Sequence, residues 1–339
     1  MTILPNIHNR LPEAELIEPD TSARPGEFVT YRGIVPSRRL PSRMDPVKVE
    51  FNRSWFAAGL LGATGAVLAL RRFGKPAFMG GAVLGAATLG HMILGEPARP
   101  QLERVDLEFA TLPAGLNGLR IGQLSDIHLG VPYSQKNLLW ALEHMRRERP
   151  DLIVLTGDQV MRHTAIPRLT ALLRELHAPL GVYAISGNHD HWEGLHDVRA
   201  ALTLCGIPML INENRKLRWN NTDFWLVGVD DIWDGVQDFE RAIDGIPAHG
   251  FKLLLGHSPD IADEAQHYGF ALQLAGHAHG GHLRLPWFGP FARPRFGRRY
   301  VEGLYQVGSM RLYVSRGLSG APLRLYNPPE AAILTLRTV

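Results

Sequence analysis

Seven side chains that can bind metal ions occur in five short groups along the chain, each next to small residues. They are Asp126, His128, Asp158, Asn188, His257, His277 and His279. Imidazole is the commonest metal ligand at neutral pH. Seven oxygen and nitrogen ligands are too many for one tetrahedral zinc site, so the set predicts two divalent ions that share a carboxylate. Mixed carboxylate, imidazole and amide ligands fit Mn²⁺, Fe or Zn²⁺.

A pair of such ions has a defined use in catalysis. Held about 4 Å apart, the two ions acidify a water molecule and clamp the attacking and leaving oxygens of a phosphoryl group. His189 directly follows Asn188. We expect His189 to bind the phosphate and to protonate the leaving oxygen. The expected reaction is therefore hydrolysis of a P–O bond by a hydroxide held on the metals.

Each group follows an apolar segment that predicts a β-strand, and amphipathic helices lie between the first three. The predicted strands cover 119–124, 151–155, 182–185, 251–255 and 270–274. One predicted helix begins with a cap at Ser134, and a second covers residues 166–177. Alternating strands and helices predict an α/β fold. Because such sheets place ligand sites at the carboxyl ends of their strands, the five groups should meet.

The ordered groups resemble the calcineurin-like metallophosphoesterase superfamily over residues 101–339. The matching motifs are Asp126-x-His128, Gly157-Asp158, Gly187-Asn188-His189-Asp190, Gly256-His257 and Gly276-His277-x-His279. The resemblance implies a four-layer α/β/β/α sandwich with two ions, of which we expect Mn²⁺, with Zn²⁺ or Fe as alternatives. It implies that Asp126, His128, Asp158 and His279 hold one ion. It implies that Asp158, Asn188, His257 and His277 hold the second, so that Asp158 bridges. His189 would be the catalytic histidine, and Asp190 is a second catalytic candidate.

Within the superfamily, the chain is similar to the bacterial YaeI/YkuE-type phosphodiesterases. The similarity covers Gly280-Gly281 and the segments 303–305, 312–317 and 322–330. Ala278 and His282 depart from the Thr and Gln that are usual in that branch. Some relatives cleave the pyrophosphate of UDP-2,3-diacylglucosamine, which makes a lipid-linked or nucleotide-linked phosphate an expected substrate. A phosphomonoesterase, including a protein phosphatase, and an inactive metal-binding membrane scaffold are the alternatives.

A loop rich in aromatic residues and arginines, residues 286–300, follows the last histidines. Arg293 and Arg295 are candidate contacts for an anionic lipid head group or substrate, and His282 is a weaker candidate. A solvated loop with two aromatic residues tucked beneath it is the alternative.

The first hundred residues differ in texture from the rest. Residues 1–53, rich in proline and arginine, predict a disordered basic tail. Residues 54–70 and 76–95 contain no charged side chain, and Arg71-Arg72-Phe73-Gly74-Lys75 separates them. We therefore expect a transmembrane hairpin over 54–95. Two buried soluble helices, or a degenerate twin-arginine export signal, are the alternatives.

Charge placement bears on location and partners. Residues 1–100 hold 12 Lys and Arg against 8 Asp and Glu, and the remainder hold 24 against 25. The later domain therefore lacks the basic excess of nucleic-acid-binding proteins, and no such partner is expected.

Basic residues flank the apolar segments more heavily than they fill the turn, which favours a bacterial inner-membrane protein with a cytoplasmic catalytic domain. Export to the outer face is the alternative. Membrane lipid and a phosphoester are the expected partners, and no obligate protein partner is inferred. Because Cys205 is the only cysteine, an intrachain disulfide is excluded.

Overall fold

The computed structural model describes residues 49–51, 53–285 and 288–339. Fifteen strands are β1 Val49–Phe51, β2 Gln101–Phe109, β3 Arg120–Leu124, β4 Leu152–Thr156, β5 Val182–Ile185, β6 Glu213–Trp219, β7 Thr222–Gly228, β8 Lys252–Leu255, β9 Leu272–Ala275, β10 Arg284–Leu285, β11 Gly289–Pro290, β12 Ala292–Pro294, β13 Gly303–Val307, β14 Met310–Val314 and β15 Glu330–Thr338. Seven α-helices in this part of the chain are α1 Arg53–Gly90, α2 Ser134–Glu148, α3 Ile166–Leu173, α4 Asn188–Glu193, α5 Leu195–Thr203, α6 Phe239–Ala242 and α7 Ala262–Ala265.

Two sheets pack face to face. The first has the order β2-β15-β3-β4-β5, and the second has the order β13-β14-β9-β8-β7-β6. The three site-bearing strands of the first sheet are parallel to one another, and so are β8 and β9 in the second. Their carboxyl ends therefore open on one edge of the sandwich, where the five groups lie.

Apolar side chains explain why helices cover both outer faces. Along β4, Leu152 and Val154 pack between the sheets, whereas Ile153 and Leu155 pack under α2, α3 and α5. A continuous apolar strand of this kind is buried on both faces. Short helices α6 and α7 cover the second sheet. The predicted four-layer α/β/β/α sandwich is confirmed.

Two predicted helix boundaries were wrong. Tyr133, in a left-handed conformation, occupies the cap position of α2, and Ser134 is the first helical residue. The Ser134 hydroxyl instead donates to the Val131 carbonyl and accepts from the Gly130 N–H, so it closes the preceding turn. Helix α3 ends at Leu173, four residues earlier than 177.

The apolar N-terminal region forms the long helix α1, which is broken at Gly74 (φ 72°, ψ −164°). From Gly74 to Ala98 this region is long and apolar enough to cross a membrane, and its most apolar stretch is not buried in the protein. The predicted tail, except for β1 and Arg53, lies outside the described residues, as do Pro286 and Trp287 of the loop. The hairpin over 54–95 stays a prediction.

Candidate metal centre

The backbone at the strand ends turns through conformations that side chains rarely adopt. Five of the seven candidate ligands have positive φ, namely Asp126 at 51°, His128 at 45°, Asp158 at 56°, His277 at 67° and His279 at 51°. Each such residue costs about 1–3 kcal/mol of strain and persists only where its surroundings impose it. This concentration of strain marks the strand-end edge as a functional site.

Asp126, His128 and His279 form the first ligand group. The Nε2 atoms of His128 and His279 lie 3.2 Å apart. The Asp126 Oδ1 atom lies 3.4 Å from Nε2 of His279 and 3.8 Å from Nε2 of His128. Both histidine Nδ1 atoms are buried without a hydrogen-bond partner among the described residues. Two imidazole nitrogens that face each other and a carboxylate suit a cation between them.

Asp158, His257 and His277 form the second ligand group. The Nδ1–H of His257 donates to the Thr156 carbonyl at 2.8 Å, which leaves Nε2 as the ring atom that faces Asp158 and a metal. The Nε2–H of His277 donates to the Arg295 carbonyl at 2.7 Å, which leaves Nδ1 free for a metal. The side-chain oxygen of Asn188 is buried and has no hydrogen-bond partner in the described part of the chain.

Asp158 contacts both groups. Its Oδ2 atom lies 3.5 Å from Nε2 of His128 in the first group and 3.2 Å from Nε2 of His257 in the second. Burial alone would raise its pKa, but His257, His189 and His128 hold that pKa well below the usual value. Burial raises the pKa of Asp126 to about 6, because taking a carboxylate out of water disfavours its charged form.

The pKa of His257 and the two buried carboxylates bear on whether these residues can hold metal ions. Burial should lower the pKa of His257, yet the Asp158 carboxylate holds it well above the ordinary value. A divalent cation can replace that proton and compensate both buried carboxylates, which are costly when unpaired. Together with the unpartnered Asn188 oxygen, the donor set fits two divalent ions.

His189 lies beside the first ligand group and Asp158. Its ring centroid is 4.7 Å from that of His128, and its backbone N–H donates to Asp158 Oδ1 at 2.9 Å. Burial lowers its pKa, and the Asp158 charge opposes that shift. His189 therefore lies next to Asp158, which contacts both groups.

Asp190 faces away from the ligands. Its Oδ1 accepts from the Gln159 N–H at 2.8 Å, and its Oδ2 accepts from the Gly187 N–H at 3.0 Å. Burial raises its pKa to about 7. These bonds fasten the Asn188 turn to the Asp158 turn.

The three weaker substrate candidates are placed differently from one another. His282 stacks on His279 with ring centroids 4.7 Å apart, and burial beside Arg324 lowers its pKa to about 3. His282 therefore lies behind the candidate ligand His279. Arg293 lies in β12, paired with β1, and Arg295 places its guanidinium 4.5 Å from the Phe296 ring centroid.

Three aromatic side chains missed by sequence reasoning border the site. Trp192 lies 4.4 Å from His189, and Trp233 lies 5.8 Å from His277, measured between ring centroids. Trp233 also contacts Trp192 at 5.7 Å and Phe296 at 6.3 Å. We call Trp192, Trp233 and Phe296 the aromatic wall. The spacing of Trp192 from His189, three residues along one helix, was the available signal.

Fold and site together define a two-sheet sandwich with a paired ligand cluster at its strand ends. The family model for calcineurin-like phosphoesterases matches residues 119–281. The Bacillus subtilis metallophosphoesterase YkuE is 32% identical over 299 residues, covering 85% of this chain and 99% of YkuE. The Escherichia coli phosphodiesterase YaeI is 34% identical over 256 residues, covering 73% and 92%. A transmembrane protein with a metallophosphoesterase domain from Danio rerio is 28% identical over 313 residues, covering 83% and 69%.

The chain therefore belongs to the calcineurin-like phosphoesterase family, in the branch of YkuE and YaeI. It is a metal-dependent phosphoric ester hydrolase. The expected superfamily, branch and enzyme class are confirmed.

Proposed function

We propose that this chain is a membrane-anchored dimetal phosphodiesterase or pyrophosphohydrolase. The contact of Asp158 with one histidine of each ligand group carries the proposal. In this scheme Asp126, His128, Asp158 and His279 hold one ion, and Asp158, Asn188, His257 and His277 hold the other. Mn²⁺ is the proposed metal. The ions would supply positive charge that polarises the phosphoryl group and acidifies a water molecule.

The protein's own residues bind and orient the ester. His189 binds a phosphate oxygen and holds a proton for the leaving oxygen. Asp190 acts as a positioning residue, because its hydrogen bonds fix the turns that present Asn188 and Asp158.

The aromatic wall favours a diester over a monoester. A phosphodiester carries a second organic group, which needs a surface beside the reacting phosphorus, whereas a monoester needs none. Trp192 and Trp233 flank His189 and His277, and the Arg295 guanidinium lies over Trp233 at 5.9 Å from the ring centroid. The aromatic wall can contact a planar or apolar group of the substrate, and the Arg295 guanidinium beside it can attract a further anionic phosphate on that group.

We expect the enzyme, stripped with chelator and reloaded with Mn²⁺, to prefer bis(p-nitrophenyl) phosphate to p-nitrophenyl phosphate by kcat/KM. The wall should bind the second nitrophenyl ring, which the monoester lacks. Steady-state kinetics on detergent-solubilised protein measure the ratio. A strong preference for the monoester would favour a phosphomonoesterase, and absence of turnover in the metal-loaded protein would favour the inactive scaffold.

We expect Trp233→Ala to raise KM for bis(p-nitrophenyl) phosphate about 10-fold, because ring stacking on an aromatic side chain contributes about 1–3 kcal/mol. The KM for p-nitrophenyl phosphate should change much less. Trp140→Ala is the matched control, since Trp140 packs on His144 of α2. Equal effects on both substrates would argue against a substrate role for the wall.

Two observations support membrane anchoring over 54–95. The segment from Gly74 to Ala98 can span a membrane by length and composition, and the Danio rerio relative is named a transmembrane protein. Basic flanks favour the bacterial inner membrane with residues 101–339 in the cytoplasm. A lipid-linked or nucleotide-linked phosphate, such as UDP-2,3-diacylglucosamine, is the proposed substrate class, and a substrate panel that includes it tests this.

Attachment at both ends supports a hairpin. A straight helix of 38 residues would span about 57 Å. The start and end of this region are instead joined through four backbone pairs and the three chain steps between them, at most about 31 Å in all at roughly 4.8 Å per pair and 3.8 Å per step. The pairs are Phe51 with Ala292, Phe291 with Leu283, His282 with Leu325, and Arg324 with Met92. The break at Gly74 is the place for the chain to turn back.

A further inference from the structure

The segment Glu96–Ala98, where the apolar region meets the catalytic domain, is anchored by a buried carboxylate. Glu96 is 8% exposed. Its two oxygens accept from the backbone N–H groups of Tyr326, at 3.0 Å, and of Asn327. The Nε2 atom of His91, one turn earlier, lies 3.3 Å from the same carboxylate. The end of the apolar region is thus fastened to the loop around Asn327.

Asn327 continues this connection to a candidate metal ligand. Its side chain is fully buried, and its Nδ2 donates to the His279 carbonyl at 2.6 Å. His279 holds a left-handed conformation, which requires support from its neighbours. One residue, Asn327, therefore lies between the Glu96 carboxylate and the strained backbone of His279.

A second connection leaves from the next residue. The Pro97 carbonyl accepts from Nδ2 of Asn137 at 2.9 Å, and the same nitrogen donates to the Leu318 carbonyl at 2.8 Å. The following residue, Ser319, donates its N–H to the Asp126 carbonyl at 3.0 Å. This connection ends on the backbone of Asp126, which also has a positive φ.

Both connections reach the same ligand group. Asp126 and His279 belong with His128, with Asp126 and His279 3.4 Å apart at their ligand atoms. The imidazoles of the second group are oriented differently, since His257 and His277 donate to the carbonyls of Thr156 and Arg295. The His277 backbone N–H also donates to the Asp126 carboxylate at 3.1 Å, so the second group is reached only through Asp126. The attachment of the apolar region therefore bears most directly on the metal position of Asp126, His128 and His279.

We propose that Glu96 and Asn137 are positioning residues, which couple the seating of the apolar region to the affinity of the metal position formed by Asp126, His128 and His279. The inference rests on the proposed dimetal function. A displacement of the segment Glu96–Ala98 would withdraw support from the backbones of Asp126 and His279 together. The metal position of His257 and His277 would keep its ion.

The test compares metal binding by full-length, detergent-solubilised Glu96→Ala and Asn137→Ala with the wild type. After chelation, Mn²⁺ is titrated by calorimetry, and the ions retained after desalting are counted by elemental analysis. The wild type should bind two ions per chain. Each variant should keep one ion and bind the other about 10- to 100-fold more weakly, as is usual when a partner behind a ligand is lost.

Asn214→Ala is the matched control. Its Nδ2 also bridges two backbone carbonyls, those of Ala242 and Asp244, but these lie on no ligand turn. It should bind two ions with wild-type affinity. Glu96→Gln, which keeps one acceptor oxygen, should show a smaller loss than Glu96→Ala, and it replaces that variant if metal-free thermal unfolding shows that alanine prevents folding.

The outcomes separate this inference from the proposed function. Wild-type affinity at both positions in Glu96→Ala and Asn137→Ala would overturn the coupling while the dimetal assignment stands. Equal weakening of both ions would also overturn it, because it would indicate a general loosening of the domain. A wild type that binds fewer than two ions would overturn the proposed function itself.

Discussion

Asp158→Ala is expected to release both metal ions, because one carboxylate contacts the histidines of both ligand groups. Loss of the ions removes several kcal/mol of transition-state stabilisation, so turnover of bis(p-nitrophenyl) phosphate should fall on the order of 10³-fold or more. Elemental analysis of the purified variant gives the ion count, and steady-state kinetics give the rate.

Asp260→Ala provides the control for this substitution. Asp260 is a half-buried aspartate whose carboxylate accepts backbone N–H groups, those of Arg298, Arg299 and Tyr300, and it belongs to neither ligand group. The Asp260→Ala variant should retain two ions. If Asp158→Ala also retained two ions per chain, the bridging assignment would be wrong. Retention of one would mean that Asp158 serves a single ion.

His189→Ala is expected to keep both ions and lose turnover, by about 10²- to 10⁴-fold in kcat, the usual contribution of a positioned acid. The His189 ring lies beside His128, but its removal leaves all seven candidate ligands in place. The loss should be larger for a diester with an alkyl leaving group than for one that releases p-nitrophenolate, which needs little protonation.

His196→Ala, a change of an exposed histidine whose side chain is 78% accessible, should leave both kinetics and metal content unchanged. Equal losses of rate for the two kinds of leaving group would contradict proton donation by His189 and leave it a phosphate-binding role. Loss of an ion from His189→Ala would instead make His189 a ligand.

The strand ends could be predicted from sequence because a local rule governs them. Parallel strands gather their carboxyl ends, so ligands after β3, β4, β5, β8 and β9 had to meet, and a motif order was enough to recognise the family. The left-handed backbone at Asp126 and Asp158 could not be predicted, since it is imposed by contacts between turns that are distant in sequence.

Adjacency in sequence does not tell in which direction the Asp190 side chain points. His189 and Asp190 are successive residues at the start of α4, where each step turns the chain by about 100°. One side chain therefore faces the ligand groups, whereas the other points inward to the amides of Gln159 and Gly187. The position of His282 could not be predicted from the sequence either, because its place behind His279 depends on the left-handed turn between them.

Long-range contacts were also outside the reach of sequence reasoning. The pairing of β1 with β12 joins residues that are more than 200 positions apart, and so does the bond from Glu96 to Asn327. Composition indicates an apolar region suited to a membrane, but it carries no information on which loops of the catalytic domain hold its ends.

Crystals of the full-length protein soaked with Mn²⁺ and measured for anomalous scattering test the central claim most directly. The dimetal assignment predicts two peaks about 4 Å apart, with the Asp158 carboxylate between them. One peak should lie beside Asp126, His128 and His279, and the other beside Asn188, His257 and His277. A single peak, or two peaks that do not share Asp158, would contradict it.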